Sequence, residues 1–212
     1  MNSLTTILSI LALGSAAITI FAELRNLRRL VYIVKPLTMA FILIIAARAA
    51  PVFAPPYKMM ILAGLGCSLA GDIFLLLENK RFLAGLIAFL AAQLCYIAAF
   101  RTGAAFSLKS LATLSFVIFG LIMIRVLLPH LGTMKIPVTI YVFVIVTMAA
   151  LAAERYIHAG GTKTLSAFAG AVLFLVSDSV LALDHFAKKI RSAQAFILSF
   201  YFAAQWLIAM SI

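Results

Sequence analysis

The feature that most constrains this chain is a succession of eight apolar runs, each near the length of a bilayer crossing and each closed by a short charged or Pro/Gly-bearing turn. They are Leu4 to Ala22, Leu30 to Ala47, Met59 to Leu77, Phe82 to Phe100, Ser110 to Pro129, Ile136 to Ala153, Thr164 to Leu183 and Ser192 to Ile212. A hydrocarbon core about 30 Å thick takes roughly 20 residues of helix at about 1.5 Å per residue. The runs therefore predict an all-α fold: a polytopic membrane bundle of eight transmembrane helices in a single domain, 1–212. Connections as short as Glu78-Asn79-Lys80-Arg81 make consecutive helices antiparallel neighbours. The first run reads as a helix and not as a signal peptide, because Met1 to Thr6 carries no positive charge and the apolar stretch outlasts a typical h-region.

Composition removes the soluble alternatives. Apolar residues make up 66% of the chain and charged ones 11%, whereas a soluble domain carries about 45–50% and about 25%. A net charge of +11 would suggest nucleic acid in a soluble protein. Here the cations lie between apolar runs, so the expected partner is anionic membrane lipid and not nucleic acid. The connections after helices 1, 3, 5 and 7 carry ten Lys and Arg, those after helices 2, 4 and 6 carry six. That bias predicts cytoplasmic odd-numbered connections and both chain ends on the other side, in the inner membrane if the chain is bacterial. Cys67 and Cys95 sit inside apolar runs, where neither a disulfide framework nor a metal pair can be read.

The sequence also hints at duplication. Aligning helix 3 with helix 7 superposes Gly64 on Gly170, Asp72 on Asp178, Leu75 on Leu181 and Glu78 on Asp184, and Ala91-Ala92-Gln93 then matches Ala203-Ala204-Gln205. Lys35-Pro36-Leu37-Thr38 resembles Lys135-Ile136-Pro137-Val138-Thr139 at the start of helices 2 and 6. Four spans return the chain to its starting side, so halves 1–107 and 108–212 would form a parallel 4+4 repeat.

Asp72 and Asp178 are the most informative residues. An aspartate near the centre of an inserted helix costs about 2.5–3.5 kcal/mol, and such groups mark functional sites or buried ion pairs far more often than lipid-facing positions. Each lies about 6 Å from its span centre toward the odd-connection side, so the two could share one cavity. Lys35 enters helix 2 from the same side, while Gln93 and Gln205 lie just beyond the midplane, giving one vertical polar stack. Ser68 precedes Asp72 by four residues, Tyr96 follows Gln93 by three and Tyr201 precedes Gln205 by four, all spacings that share a helical face. The competing reading of Asp72 and Asp178 is a structural ion pair with Lys35. For Gly64, Gly71 and Gly85 it is close helix packing.

Other chemistries lack their groups. His130, His158 and His185 are expected outside the spans and do not converge, which argues against a metal site and against a Ser-His-Asp nucleophile. No cofactor is implied. Gly160-Gly161-Thr162-Lys163 lacks the phosphate-loop spacing and reads as a turn.

The segments Lys35-Pro36-Leu37-Thr38, Ser68-Leu69-Ala70-Gly71-Asp72, Ala92-Gln93-Leu94-Cys95-Tyr96, Ser177-Asp178-Ser179-Val180-Leu181-Ala182 and Tyr201-Phe202-Ala203-Ala204-Gln205 resemble the YhhN-like family of integral membrane proteins, from about Lys35 to the C-terminus. Its characterised animal members are lysoplasmalogenases. The resemblance implies hydrolysis of the vinyl ether bond of a lysophospholipid, releasing a fatty aldehyde and a glycerophospho-headgroup. Asp72 and Asp178 would then be catalytic, with Lys35, Ser68, Gln93, Tyr96, Ser177, Tyr201 and Gln205 around the substrate. That reaction protonates an alkene carbon, passes through an oxocarbenium ion and adds water, so two carboxyl groups can divide the acid and base roles as in glycosidases. The alternative is a proton-coupled transporter of a small metabolite or lipid, built on the same acidic pair.

Overall fold

The computed structural model describes residues 3–77, 81–102 and 110–212. Glu78, Lys80 and Lys109, used above in the repeat and in the charge count, and the boundary between the two halves lie outside the described residues. Eight helices long and apolar enough to cross a membrane follow one another, and no strand occurs among the described residues. They are α1 (Ser3–Leu24), α2 (Arg28–Arg48), α3 (Pro55–Leu76), α4 (Phe82–Arg101), α5 (Leu111–Leu127), α6 (Lys135–Ala159), α7 (Gly161–Ala182) and α8 (Ala193–Met210). Helix α7 continues into a π-helical turn, Leu183–Ala187, and two short 3-10 segments, Leu128–His130 and Gly132–Met134, join α5 to α6. The protein is a multi-pass integral membrane protein, as the apolar runs predict.

Local chemistry sets the ends. Pro55 and Pro56 open α3 where their missing N–H groups cost nothing. The Ser110 hydroxyl accepts the Thr113 N–H and caps α5. Gly160 and Gly161 take φ of +62° and +86°, so the chain turns from α6 into α7 in the left-handed region that glycine tolerates. The turn expected over Gly160 to Lys163 therefore shrinks: α7 already starts at Gly161.

Helix α6 differs most from expectation. It runs six residues past Ala153, so Arg155 and His158 belong to a helix and not to a connection, and His158 is inside a span after all. The physical reason is that the polar groups of this last stretch find partners. The Glu154 carboxylate accepts the hydroxyls of Ser110 and Thr113 and lies 3.3 Å from His158 Nε2. The Arg155 guanidinium packs over the rings of Phe53 and Tyr57, 4.3 and 4.8 Å from their centroids, and donates to the carbonyls of Phe100 and Thr102. Glu154 and Arg155 are thereby buried at 1% and 5% exposure.

That end of the bundle is built on one device. Lys58 donates to the carbonyls of Ala47 and Ala49 at 2.7 Å each, Arg155 to those ending α4, and Lys163 to Met210 O at 2.8 Å. Each cation, carried by another helix, satisfies the orphan C-terminal carbonyls of α2, α4 or α8 and meets the negative end of its dipole.

Packing is tightest within the α3–α4 and α7–α8 hairpins. A Cβ on Gly64 would stand 2.3 Å from the Tyr96 ring, and one on Gly71 2.8 Å from the Phe89 ring. The expected packing use of these glycines is what the structure has, and it presses α3 against the aromatic face of α4. Helix α1 is part of the bundle: Ser15 accepts a hydrogen bond from Thr38 on α2 at 2.9 Å, and Ser9 one from Trp206 on α8 at 3.0 Å. Helix α6 lies against α4, α5 and α7, whereas α5 packs along α6 and against the π-helical turn, leaving most of its surface to lipid.

Candidate active site

Helices α2, α3, α4, α6, α7 and α8 bring their polar residues into one interior. Lys35 Nζ lies 3.0 Å from Asp72 Oδ1, forming an ion pair in which Lys35 keeps 13% exposure and Asp72 1%. The Tyr201 hydroxyl donates to Asp72 Oδ2 at 2.6 Å. Below them, Tyr96 donates to Gln205 Oε1 at 2.7 Å and Gln205 Nε2 donates to the Ser68 hydroxyl at 3.1 Å. The polar residues of the expected stack thus lie in separate hydrogen-bonded groups, Lys35, Asp72 and Tyr201 across α2, α3 and α8, and Ser68, Gln205 and Tyr96 across α3, α8 and α4.

Asp178 belongs to a second group. Tyr141 on α6 donates to its Oδ2, and Gln93 Nε2 approaches the same oxygen at 3.4 Å. No hydrogen bond reaches Oδ1 from the described residues. Gln93 is fully buried, and its Oε1 has no partner among them. The donors to Asp72 and Asp178 come from helices that a 4+4 repeat would exchange, α2 and α8 for Asp72, α6 and α4 for Asp178.

Asp178 lines a cleft, together with Tyr141 and Ser179 among otherwise apolar side chains, including Leu86, Phe89, Phe119, Met123, Ile145 and Leu175. Asp72 and Lys35 are absent from its walls. Of the two aspartates that could share a cavity, Asp178 lines this cleft. Ser177 stands apart as well: its hydroxyl donates to Ile197 O at 3.0 Å and ties α7 to α8.

The end of the cleft toward the odd-numbered connections is aromatic. The His185 ring stacks on Phe82, centroids 4.1 Å apart and planes 1° from parallel, and meets the edge of Phe186. The π-helical turn that presents these rings is closed by Asp184, which accepts the Ile190 N–H at 2.8 Å and lies 3.1 Å from Lys189. Around this end Arg81, Arg125, Lys135 and Lys188 are exposed. No group of three or more His, Cys, Asp or Glu among the described residues could hold a metal ion.

Tyr141 is the site residue that the sequence reading missed. Its signal was available: with Val138, Val142 and Ile145 it forms one face of α6, and it is the polar member of that face.

A sequence model of the YhhN family matches residues 30–212. The chain is 29% identical to the Escherichia coli protein named "Uncharacterized membrane protein YhhN", over 85% of this chain and 86% of that one. It is 34% identical to the Bos taurus lysoplasmalogenase TMEM86A, over 74% of this chain and 66% of that one. With the Homo sapiens lysoplasmalogenase TMEM86A it shares 31% identity, over 83% of this chain and 74% of that one. No solved structure matches the chain significantly. The match spans α2 to α8 and every polar residue of the interior described above, and on it the chain belongs to the YhhN family.

Proposed function

We propose that this chain hydrolyses the vinyl ether bond of a lysoplasmalogen, with Asp178 as its proton donor. The names of the animal relatives support a membrane lysoplasmalogen hydrolase and do not favour the carrier reading. The observation that carries the assignment is the open Oδ1 of Asp178 on the wall of an apolar cleft, in contrast to Asp72, whose two oxygens are both engaged.

The vinyl ether lies in the cleft with its alkene carbon at Asp178 Oδ1. Proton transfer from Oδ1 to that carbon makes an oxocarbenium ion in a low-dielectric site, where a fixed negative charge counts for much. The Asp178 carboxylate that the transfer leaves behind is that charge, while Asp72 stays engaged by Lys35 and Tyr201. Water then adds to the cation and returns its proton to the Asp178 carboxylate, and the hemiacetal collapses to aldehyde and a glycerol hydroxyl. Tyr141 and Gln93 hold Oδ2 and so aim Oδ1. The exposed cations Arg81, Arg125, Lys135 and Lys188 attract the phosphate headgroup at the membrane surface.

The test is aldehyde release by the detergent-solubilised protein from a lysoplasmalogen without any membrane gradient. Release that disappears in Asp178→Asn supports the reading. A substrate left chemically intact by the folded protein refutes it and returns the carrier to first place.

A further inference from the structure

We propose that the seam between α4 and α5 is the lateral exit through which the hydrocarbon tail of the bound lipid runs back into the bilayer, so that the site takes tails of any length. This rests on the hydrolase reading for the identity of the lipid, a single-chain amphiphile with an anionic phosphate head, and on the walls of the cleft for the rest.

The cleft is shallow beyond Asp178. On α7 the lining continues inward only to Leu175, and on α6 from Tyr141 only to Ile145, about one helical turn or roughly 5 Å in each case. Deeper still, α4 and α6 come together, as the Arg155 contact with Phe100 O marks. A lipid tail spans half of a hydrocarbon core of about 30 Å, hence about 15 Å. A tail attached at Asp178 cannot end inside.

Most of the wall of the cleft is closed. Helices α5 and α6 pack together, as do α6 and α7. The seam between α4 and α7 is sealed by ring contacts, Phe89 on Phe174 and Phe82 on His185 and Phe186. The π-helical turn packs against α5 and so bridges α7 to α5. Helices α4 and α5 face each other across the cleft without extended packing between them, Leu86 and Phe89 on one side and Phe119 and Met123 on the other. That seam faces lipid and reaches the end of the cleft where Phe82 and Leu127 stand, next to the exposed Arg81 and Arg125. An amphiphile sliding in sideways keeps its phosphate beside these cations and its tail in the bilayer. The anionic head and the basic rim are complementary, which selects a phospholipid over a neutral hydrocarbon as occupant.

A lysophosphatidylcholine carrying a diazirine at the end of its acyl chain, irradiated with the whole protein in detergent micelles, reads the tail's path without needing turnover. The expected crosslinks fall on α4 and α5 on either side of the seam. Crosslinks concentrated at Leu175 and Ile145, or no enrichment on α4 and α5 over a diazirine hydrocarbon without a headgroup, overturn the exit. A second arm compares lysoplasmalogens of short, medium and long alkenyl chains at equal surface fraction. A closed pocket that measures chain length discriminates about 10-fold or more per methylene at its limit, whereas a lateral exit gives kcat/KM values that stay flat. A sharp optimum with aldehyde still released overturns the exit and leaves the hydrolase. Labelling of the seam with no aldehyde from any chain length does the reverse.

Discussion

Asp72 and Asp178 are held in opposite ways: Asp72 engages Lys35 through Oδ1 and Tyr201 through Oδ2, whereas Asp178 takes both Tyr141 and Gln93 on Oδ2 and keeps Oδ1 open. The same substitution should therefore act differently at the two positions. Asp178→Asn preserves the volume and cannot deliver the proton, so aldehyde release should fall by about 10²–10⁴-fold with the thermal midpoint nearly unchanged. Asp72→Asn leaves Lys35 facing a neutral amide. Breaking a buried pair costs about 3–5 kcal/mol, toward the lower end here because Lys35 keeps 13% exposure. Co-substituting Lys35→Met should restore the fold of that variant. Measured turnover and thermal midpoints decide it, and wild-type turnover in Asp178→Asn would remove the proposed acid.

Tyr141 should act on catalysis through Asp178. Tyr141→Phe keeps the ring in the cleft wall and removes only the hydroxyl that donates to Oδ2. A lost hydrogen bond to a charged group is worth about 1.5–3 kcal/mol. If that is felt in the transition state, kcat should fall by about 10-fold or more while KM holds. A change confined to KM would show that Tyr141 contacts the lipid and does not orient the carboxyl.

Much of this was legible in the sequence, and the omissions share a cause. The eight helices follow from run length alone, since a bilayer fixes how many apolar residues a crossing needs. Asp72, Lys35, Tyr201, Ser68, Tyr96 and Gln205 were legible because helical spacing puts them on inward faces at matched depth. The asymmetry between the aspartates was not, because it depends on which oxygen each donor meets, and that is a property of how helices cross. Glu154 and Arg155 were misread for a related reason. A charged pair at the end of an apolar run looks like a loop until the hydroxyls of Ser110 and Thr113 and the rings of Phe53 and Tyr57 are brought from other parts of the chain.

The contact of Gly64 with Tyr96 predicts a packing effect that reaches the polar chain. In Gly64→Ala the new methyl would stand 2.3 Å from the ring, so α3 and α4 must separate or the ring must turn. Overpacking of this kind costs about 1–3 kcal/mol. The displaced ring would also lose the Tyr96 to Gln205 bond. A fall in thermal midpoint well beyond that of the spacious Gly66→Ala control, where a methyl meets nothing within 4 Å, is the expected result.

The capping cations sharpen the expectation for orientation. Of the six Lys and Arg assigned to the even-numbered connections, Lys58, Arg155 and Lys163 are committed to helix C-terminal carbonyls. Their charge is spent against helix dipoles, and Arg155 is buried outright at 5% exposure. On the odd-numbered side Arg25, Arg28, Arg29, Arg81, Arg125, Lys135, Lys188 and Arg191 are all exposed, and Lys189, although paired with Asp184, is exposed too. The bias in cations free to meet a membrane surface is therefore steeper than ten against six, and it favours the odd-numbered connections in the cytoplasm. A compartment-sensitive reporter fused after Ile212 should then signal the non-cytoplasmic side, and one inserted at Lys188 the cytoplasm. Replacing Arg48 and Arg101 with Gln should leave that orientation unchanged. Replacing Arg28 and Arg29 should weaken it, because those two belong to the first, most heavily weighted hairpin. A cytoplasmic signal from the Ile212 fusion, together with an external one at Lys188, would invert the placement and move the basic rim of the cleft to the opposite leaflet.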